Sequence, residues 1–136
     1  MRLYVDTSAY LCLLLGERGA AGVERELTGA QLLSSSILVL EADRNLIRLL
    51  RVGLLDERDC QNCQTRLEED IGHFQLRDLT LDLCRHGITP AISTPRSLDM
   101  AHLRTALWFH RQEPIDRFVT LDQPQERAAR ELGLPV

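Results

Sequence analysis

The chain has 136 residues and a formal charge of −4 at pH 7, with 44% hydrophobic and 26% charged residues, the balance of a globular domain rather than a disordered or fibrous chain. One domain of roughly 100–200 residues accounts for that length, and such a chain buries roughly two-thirds of its unfolded surface without disulfide staples. All 16 basic residues are arginine, which excludes a P-loop and Schiff-base chemistry, both of which need a lysine.

Leu3-Tyr4-Val5 is a short β-favouring run that stops at Asp6-Thr7-Ser8. Thr7 and Ser8 are helix-capping types, and they precede an apolar helix over Ala9 to Leu15. Gly16 and Gly19 mark a break before a second helix, about Ala20 to Leu27, and Gln31 to Ser34 is a second strand. Ser35-Ser36 then caps a long helix over Ile37 to Arg51, stopped by Gly53, and another helix runs from Asp56 to about Asp70. His73 to Leu76 is a weak third strand, Asp78 to His86 a helix, and Thr89 to Pro95 an irregular, proline-containing connection. Ser97 is expected to cap a helix from about Leu98 to His110. Phe118 to Leu121 is the most strand-like run in the chain, and Asp122 caps a helix over Gln123 to Leu132 with Pro124 in its first turn. Gly133 fits the position after that helix, and Leu134-Pro135-Val136 reads as a short terminal strand at a sheet edge. Strands alternate with helices throughout, which predicts an α/β fold with a parallel sheet of four to five strands covered by helices on both faces.

Ala9 to Leu15 is the longest apolar run, far short of the ~20 residues that span a membrane. Asp6 interrupts any signal-peptide core, so a cytoplasmic chain without membrane insertion is expected. The four cysteines are Cys12, Cys60, Cys63 and Cys84. Cys60-Gln-Asn-Cys63 has the spacing of half a zinc or redox motif without the second half, and reduced thiols one helical turn apart suit a reducing compartment. The negative net charge supplies no global field for nucleic acid, so such binding rests on local arginines or a metal.

In an open parallel sheet, ligands bind beyond the carboxyl ends of the strands. Four acids fall there in the inferred topology: Asp6 after the first strand, Glu41 one turn into the helix after the second, Asp99 in the first turn of its helix, and Asp122 after the Phe118–Leu121 strand. Each has an innocent use, as a cap, a dipole partner or a solvated residue. Together they repel and shift one another's pKa values, and a cluster of carboxylate oxygens selects Mg²⁺ or Mn²⁺. His102, three residues after Asp99, can share its helical face, although a packed or surface histidine is the plainer assignment. Trp108 and Phe109 are candidates for stacking a base, with core packing as the ordinary alternative.

The segments Val5-Asp6-Thr7-Ser8-Ala9, Leu40-Glu41-Ala42, Ser97-Leu98-Asp99-Met100-Ala101-His102-Leu103 and Phe118-Val119-Thr120-Leu121-Asp122, with the ending Ala129 to Val136, resemble a PIN domain. More closely they are similar to the ribonuclease toxins of bacterial VapBC toxin–antitoxin systems, over essentially the whole chain. The resemblance implies a PIN-like fold, a Mg²⁺-dependent ribonuclease (with Mn²⁺ as substitute) and an RNA substrate. By position it assigns the metal and catalytic site to Asp6, Glu41, Asp99 and Asp122, with Asp6 and Asp99 as principal ligands. Thr7, Ser8 and Thr120 would hydrogen-bond the carboxylates or a phosphate, or serve only as cap and strand hydroxyls. Arg104 departs from the family's common alanine, and Asp116 competes with Asp122 for the fourth position. Six residues of strand cover about 20 Å at ~3.3 Å each, which places Asp116 at the wrong end of the sheet.

The resemblance also implies a small antitoxin folded over the toxin, and commonly a toxin homodimer. An inserted antitoxin arginine would pair with Asp6 and Asp99. Leu11 to Leu15 and Leu46 to Leu50 would offer apolar burial for an antitoxin helix, unless they belong to the core. Phosphoryl transfer to aspartate, as in receiver or haloacid-dehalogenase-like domains, is disfavoured because those families rely on a lysine that this chain lacks. The remaining alternative is a catalytically inactive PIN-like module that binds RNA or a partner.

Overall fold

A computed structural model describes residues 1–85, 92–93 and 96–136. Its elements in chain order are β1 (Arg2–Val5), α1 (Thr7–Leu15), α2 (Ala20–Leu27), β2 (Gln31–Ser35), α3 (Ile37–Arg51), α4 (Glu57–Ile71), β3 (Phe74–Arg77), α5 (Leu81–Cys84), α6 (Ser97–Gln112), β4 (Arg117–Val119) and α7 (Gln123–Glu131). The sheet has the order β3-β2-β1-β4, and every pairing is parallel, with Tyr4 opposite both Leu33 and Phe118. All four strands therefore release the chain at the same edge.

Side chains alternate across a strand, and that alternation divides the core. Leu3 and Val5 of β1 and Val119 of β4 join Tyr10, Leu14, Val23, Leu38, Leu46 and Leu67 on the face covered by α1 to α4. Tyr4, Leu33 and Phe118 join Leu103, Ala106, Phe109, Ala128 and Leu134 on the opposite face, under α6 and α7. Tyr4 stacks on Phe118 with ring centroids 5.2 Å apart. Burying one leucine such as Leu46 completely contributes about 2 kcal/mol, and both layers are built from such residues. Leu46 and Leu14 are core, while Leu11, Leu13, Leu15 and Leu50 pack against it. Most of these leucines are thus spent inside the fold, while Ile47, between Leu46 and Leu50, stays 45% exposed.

The elements depart from expectation chiefly at five places, with shifts of one or two residues elsewhere. Asp6 itself caps α1, accepting from the Ala9 N–H, so Thr7 and Ser8 lie inside the helix. Ser97 is likewise the first residue of α6, and Arg96 takes the cap position without a side-chain cap bond. The helix expected over 78–86 is the single turn α5. His86 and most of the irregular 89–95 connection lie outside the described residues. β4 ends at Val119, two residues earlier than expected, because Thr120 turns its hydroxyl onto Asp6. Leu134-Pro135-Val136 forms no strand among the described residues; the Pro135 carbonyl accepts from the Phe118 N–H at 2.7 Å, but proline has no N–H to continue a ladder. Gly133 does take the left-handed conformation (φ 76°) that closes α7.

Arg104 and the cysteine pair acquire local explanations. Arg104 sends Nη1 to the carbonyls of Leu83, Cys84 and Arg85 at 3.2, 2.8 and 3.0 Å, capping the C-terminal end of α5. Cys60 and Cys63 are free thiols of α4 turned toward α3 and α1, with Sγ 3.9 Å from the Leu46 and Leu14 carbonyls respectively.

Candidate active site

β1 ends at Val5, and the next residue, Asp6, is almost fully buried at 4% exposure. Its Oδ1 accepts from Ser8 Oγ at 2.7 Å and the Ala9 N–H at 3.1 Å, and its Oδ2 from Thr120 Oγ1 at 2.5 Å. Burial pushes the Asp6 carboxyl above its ordinary pKa, and these three donors hold it back. The hydroxyls of Ser8 and Thr120, which are 3.2 Å apart, also join the end of β1 to the end of β4. The Asp122 N–H donates to Thr120 Oγ1 at 3.1 Å and the Leu121 N–H to Ser8 Oγ at 2.9 Å. One hydroxyl pair thus fixes both Asp6 and the backbone that leads to Asp122.

Glu41 lies in the second turn of α3. Its Oε1 accepts from Thr7 Oγ1 at 2.8 Å and lies 2.8 Å from His102 Nε2. His102 is 2% exposed, and its Nδ1 lies 2.9 Å from the Tyr4 hydroxyl. With the Nε2 proton donated to the carboxylate, Nδ1 accepts from Tyr4, so a buried chain runs from the central strand to Glu41. The Tyr4 hydroxyl is raised well above the ordinary tyrosine value, chiefly by burial, and it stays a neutral donor. Sequence reasoning placed His102 on the face of Asp99 but did not foresee its hold on Glu41. The i, i+3 spacing is visible in the sequence; the packing of α6 across β1 and α3 is not.

Asp99 stands in the first turn of α6, and Asp122 caps α7, accepting from the Gln125 N–H at 3.3 Å. Arg96 bridges them: Nε lies 2.6 Å from Asp99 Oδ2, and Nη2 donates to Asp122 Oδ2 at 3.0 Å. Asp99 Oδ2 is buried, and among the described residues no donor meets it in good hydrogen-bond geometry. Burial raises the Asp99 carboxyl, Arg96 opposes that shift, and the charges of Asp122 and Glu41 add to it. The guanidinium is correspondingly raised by the two carboxylates. Gln125 Nε2 donates to the Asp99 carbonyl at 3.1 Å, tying α7 to the start of α6.

The four acids therefore stand at one edge of the sheet, where β1, β2 and β4 end and α6 begins. Asp116 lies at the other end, where Oδ2 accepts from the Arg2 N–H at 2.6 Å. Among the described residues, no three His, Cys, Asp or Glu side chains converge closely enough to ligate an ion as they stand. The protein's own donors hold each acid instead: hydroxyls and a backbone N–H on Asp6, Thr7 and His102 on Glu41, and Arg96 on Asp99 and Asp122. The donor set still fits a hard divalent cation, being all carboxylate oxygen, and the poorly satisfied Asp99 Oδ2 is a free ligand once Arg96 moves. Trp108 is not at this edge cluster; it packs edge-on against Phe109 with the Arg77 guanidinium 4.6 Å above its ring.

A four-stranded parallel sheet in this order, with helices on both faces and acids gathered at its carboxyl edge, is a PIN-like fold. The crystal structure of Mycobacterium tuberculosis VapC20, a Sarcin-Ricin loop cleaving toxin, matches it with a TM-score of 0.57 at 16% sequence identity, covering 91% of this chain and 92% of that one. At that identity the likeness establishes the fold. No protein-family profile matches the chain, and no curated protein sequence matches it. No helix among the described residues is long and apolar enough to cross a membrane.

Proposed function

We propose that this chain is a Mg²⁺-dependent endoribonuclease of the PIN type, the toxin of a toxin–antitoxin pair, acting in the cytoplasm. The observation that carries this reading is the placement of Asp6, Glu41, Asp99 and Asp122, from four distant segments, at one edge of a PIN-like sheet. The VapC20 likeness supports RNA as the substrate class and a small antitoxin as the partner, and a homodimer belongs to the same reading.

Asp6 and Asp99 are the principal candidate ligands, flanked by Glu41 and Asp122. When bound, Mg²⁺ or Mn²⁺ would supply Lewis acidity toward the phosphodiester and a lowered pKa for the attacking water. The chain's part is to hold the oxygens ready. Ser8 and Thr120 fix both oxygens of Asp6, while Thr7 and His102 fix Oε1 of Glu41. Such preorganisation removes conformational freedom before the substrate arrives. The residues flanking the acids also exclude water from one side, since Asp6 and His102 are buried.

The test is cleavage of a labelled RNA pool with and without Mg²⁺ by the wild type, Asp6→Asn and Asp99→Asn, with circular dichroism as the control for folding. Cleavage by the wild type only with Mg²⁺, lost in both folded variants, supports the reading. Undiminished cleavage in either variant refutes the site. A second reading, an inactive RNA- or partner-binding module, draws on the Arg96 bridge, which already neutralises two of the acids. RNA binding by the wild type without any Mg²⁺-dependent cleavage would favour it.

A further inference from the structure

We propose that Arg96 is an exchangeable counter-cation: it bridges Asp99 and Asp122 in the metal-free protein, yields both carboxylates to a divalent ion, and then takes a phosphate of the RNA. This inference rests on the ribonuclease reading above and gives it a substrate-positioning residue.

The first argument is competition for the same atoms. Arg96 Nε is 2.6 Å from Asp99 Oδ2 and Nη2 is 3.0 Å from Asp122 Oδ2. A Mg²⁺ ion binds carboxylate oxygen at about 2.0–2.1 Å in an octahedral shell, so guanidinium and ion compete for Asp99 Oδ2. The second argument is charge. Asp99 and Asp122 stand close enough for one guanidinium to bridge them, so two like charges meet there and the arginine offsets them when an ion does not. The third is freedom to move. The Arg96 side chain is 62% exposed, and among the described residues its polar partners are these carboxylates. Its backbone stays anchored at the start of α6, where the carbonyl accepts from the Met100 N–H at 2.9 Å. The head group can leave without unfolding anything.

The fourth argument concerns where it goes. The chain carries net negative charge and no lysine, so attraction for RNA rests on local arginines or a metal. Arg77 lies over Trp108 and pairs with Asp82, Arg104 holds the end of α5, and Arg2 and Arg117 pair with Glu113 and Glu26. Among the described residues Arg96 pairs with two of the site acids, and its planar fork matches phosphate as well as carboxylate.

The experiment uses the full chain with Arg96→Gln and Arg96→Lys. MnCl₂ is titrated by calorimetry without RNA, and a short fluorescein-labelled RNA is then titrated by anisotropy in saturating Ca²⁺. Circular dichroism reports that both variants fold. Arg96→Gln should bind Mn²⁺ roughly three- to tenfold more tightly than the wild type, the weight of two exposed ion pairs, and bind the RNA more weakly. Arg96→Lys keeps the charge but loses the planar fork that meets Asp99 and Asp122 from two separate nitrogens, so it too should bind Mn²⁺ more tightly, which separates the bridge from mere charge. If the wild type binds Mn²⁺ through Asp6 and Asp99 but neither variant binds it more tightly, the exchange is refuted and the ribonuclease reading stands. Unchanged RNA affinity in Arg96→Gln refutes the phosphate role. If the wild type binds no Mn²⁺ at these acids, both readings fall.

Discussion

Thr120 donates to Asp6 Oδ2 at 2.5 Å and accepts from the Asp122 N–H at 3.1 Å, so Thr120→Val, nearly isosteric, removes the shortest bond to the most buried acid of the site. A hydrogen bond to a charged group contributes about 1.5–3 kcal/mol, which for a chain of this length is a loss of roughly 5 to 12 °C in melting temperature. The pH dependence is the sharper part. Burial already raises the Asp6 carboxyl above its ordinary value of 3.8, and the Thr120 donor opposes that rise. A carboxyl raised in the folded state costs stability as pH climbs through its folded pKa, because the unfolded chain gives up the proton more readily. Without Thr120 the upward shift grows. The penalty of the variant should therefore grow as pH climbs above 3.8 and Asp6 ionises, and shrink to about 1 kcal/mol as pH falls toward 3.8 and the lost bond becomes an ordinary neutral one. Urea unfolding in EDTA, near neutral pH and near pH 4, measures both values. A penalty below about 0.5 kcal/mol at neutral pH, or one of equal size at both, would refute the claim that Thr120 stabilises a buried, ionised Asp6.

His102→Gln keeps a donor near Glu41 but loses the Tyr4 connection; RNA cleavage should fall about 10–100-fold, as for partners that orient metal ligands. Steady-state kinetics should place that fall in kcat rather than KM, and an unchanged kcat would show that His102 is only core. Cys60→Ser with Cys63→Ser should leave cleavage and metal content unchanged while lowering stability by about 1–3 kcal/mol, because Cys60 is 3% exposed and serine buries a hydroxyl. Stoichiometric zinc in the wild type, lost in the double variant, would overturn the packing role of this pair.

The alternation of short β-branched or aromatic runs with capped helices determined the α/β class, and Asp6, Asp99 and Asp122 were legible as acids at element ends, whereas Glu41 lies inside α3 and carried no such local mark. That is local information: Leu3-Tyr4-Val5 before Asp6, and Asp122-Gln123-Pro124 opening α7, declare strand end and helix start without reference to the rest of the chain. Asp116 could be set aside from sequence alone because rise per residue converts position into distance. Tertiary structure decided everything that depends on which segments meet. Ser8 and Thr120 are 112 residues apart in the chain and 3.2 Å apart in the fold, and His102 reaches Glu41 across 61 residues. The terminal strand failed for the same kind of reason, since pairing needs a partner backbone and Pro135 could offer it only a carbonyl. Local patterns can announce that a carboxylate stands at an element's end. Only the parallel order β3-β2-β1-β4, which brings those ends to one edge, decides that Arg96 rather than solvent lies between Asp99 and Asp122.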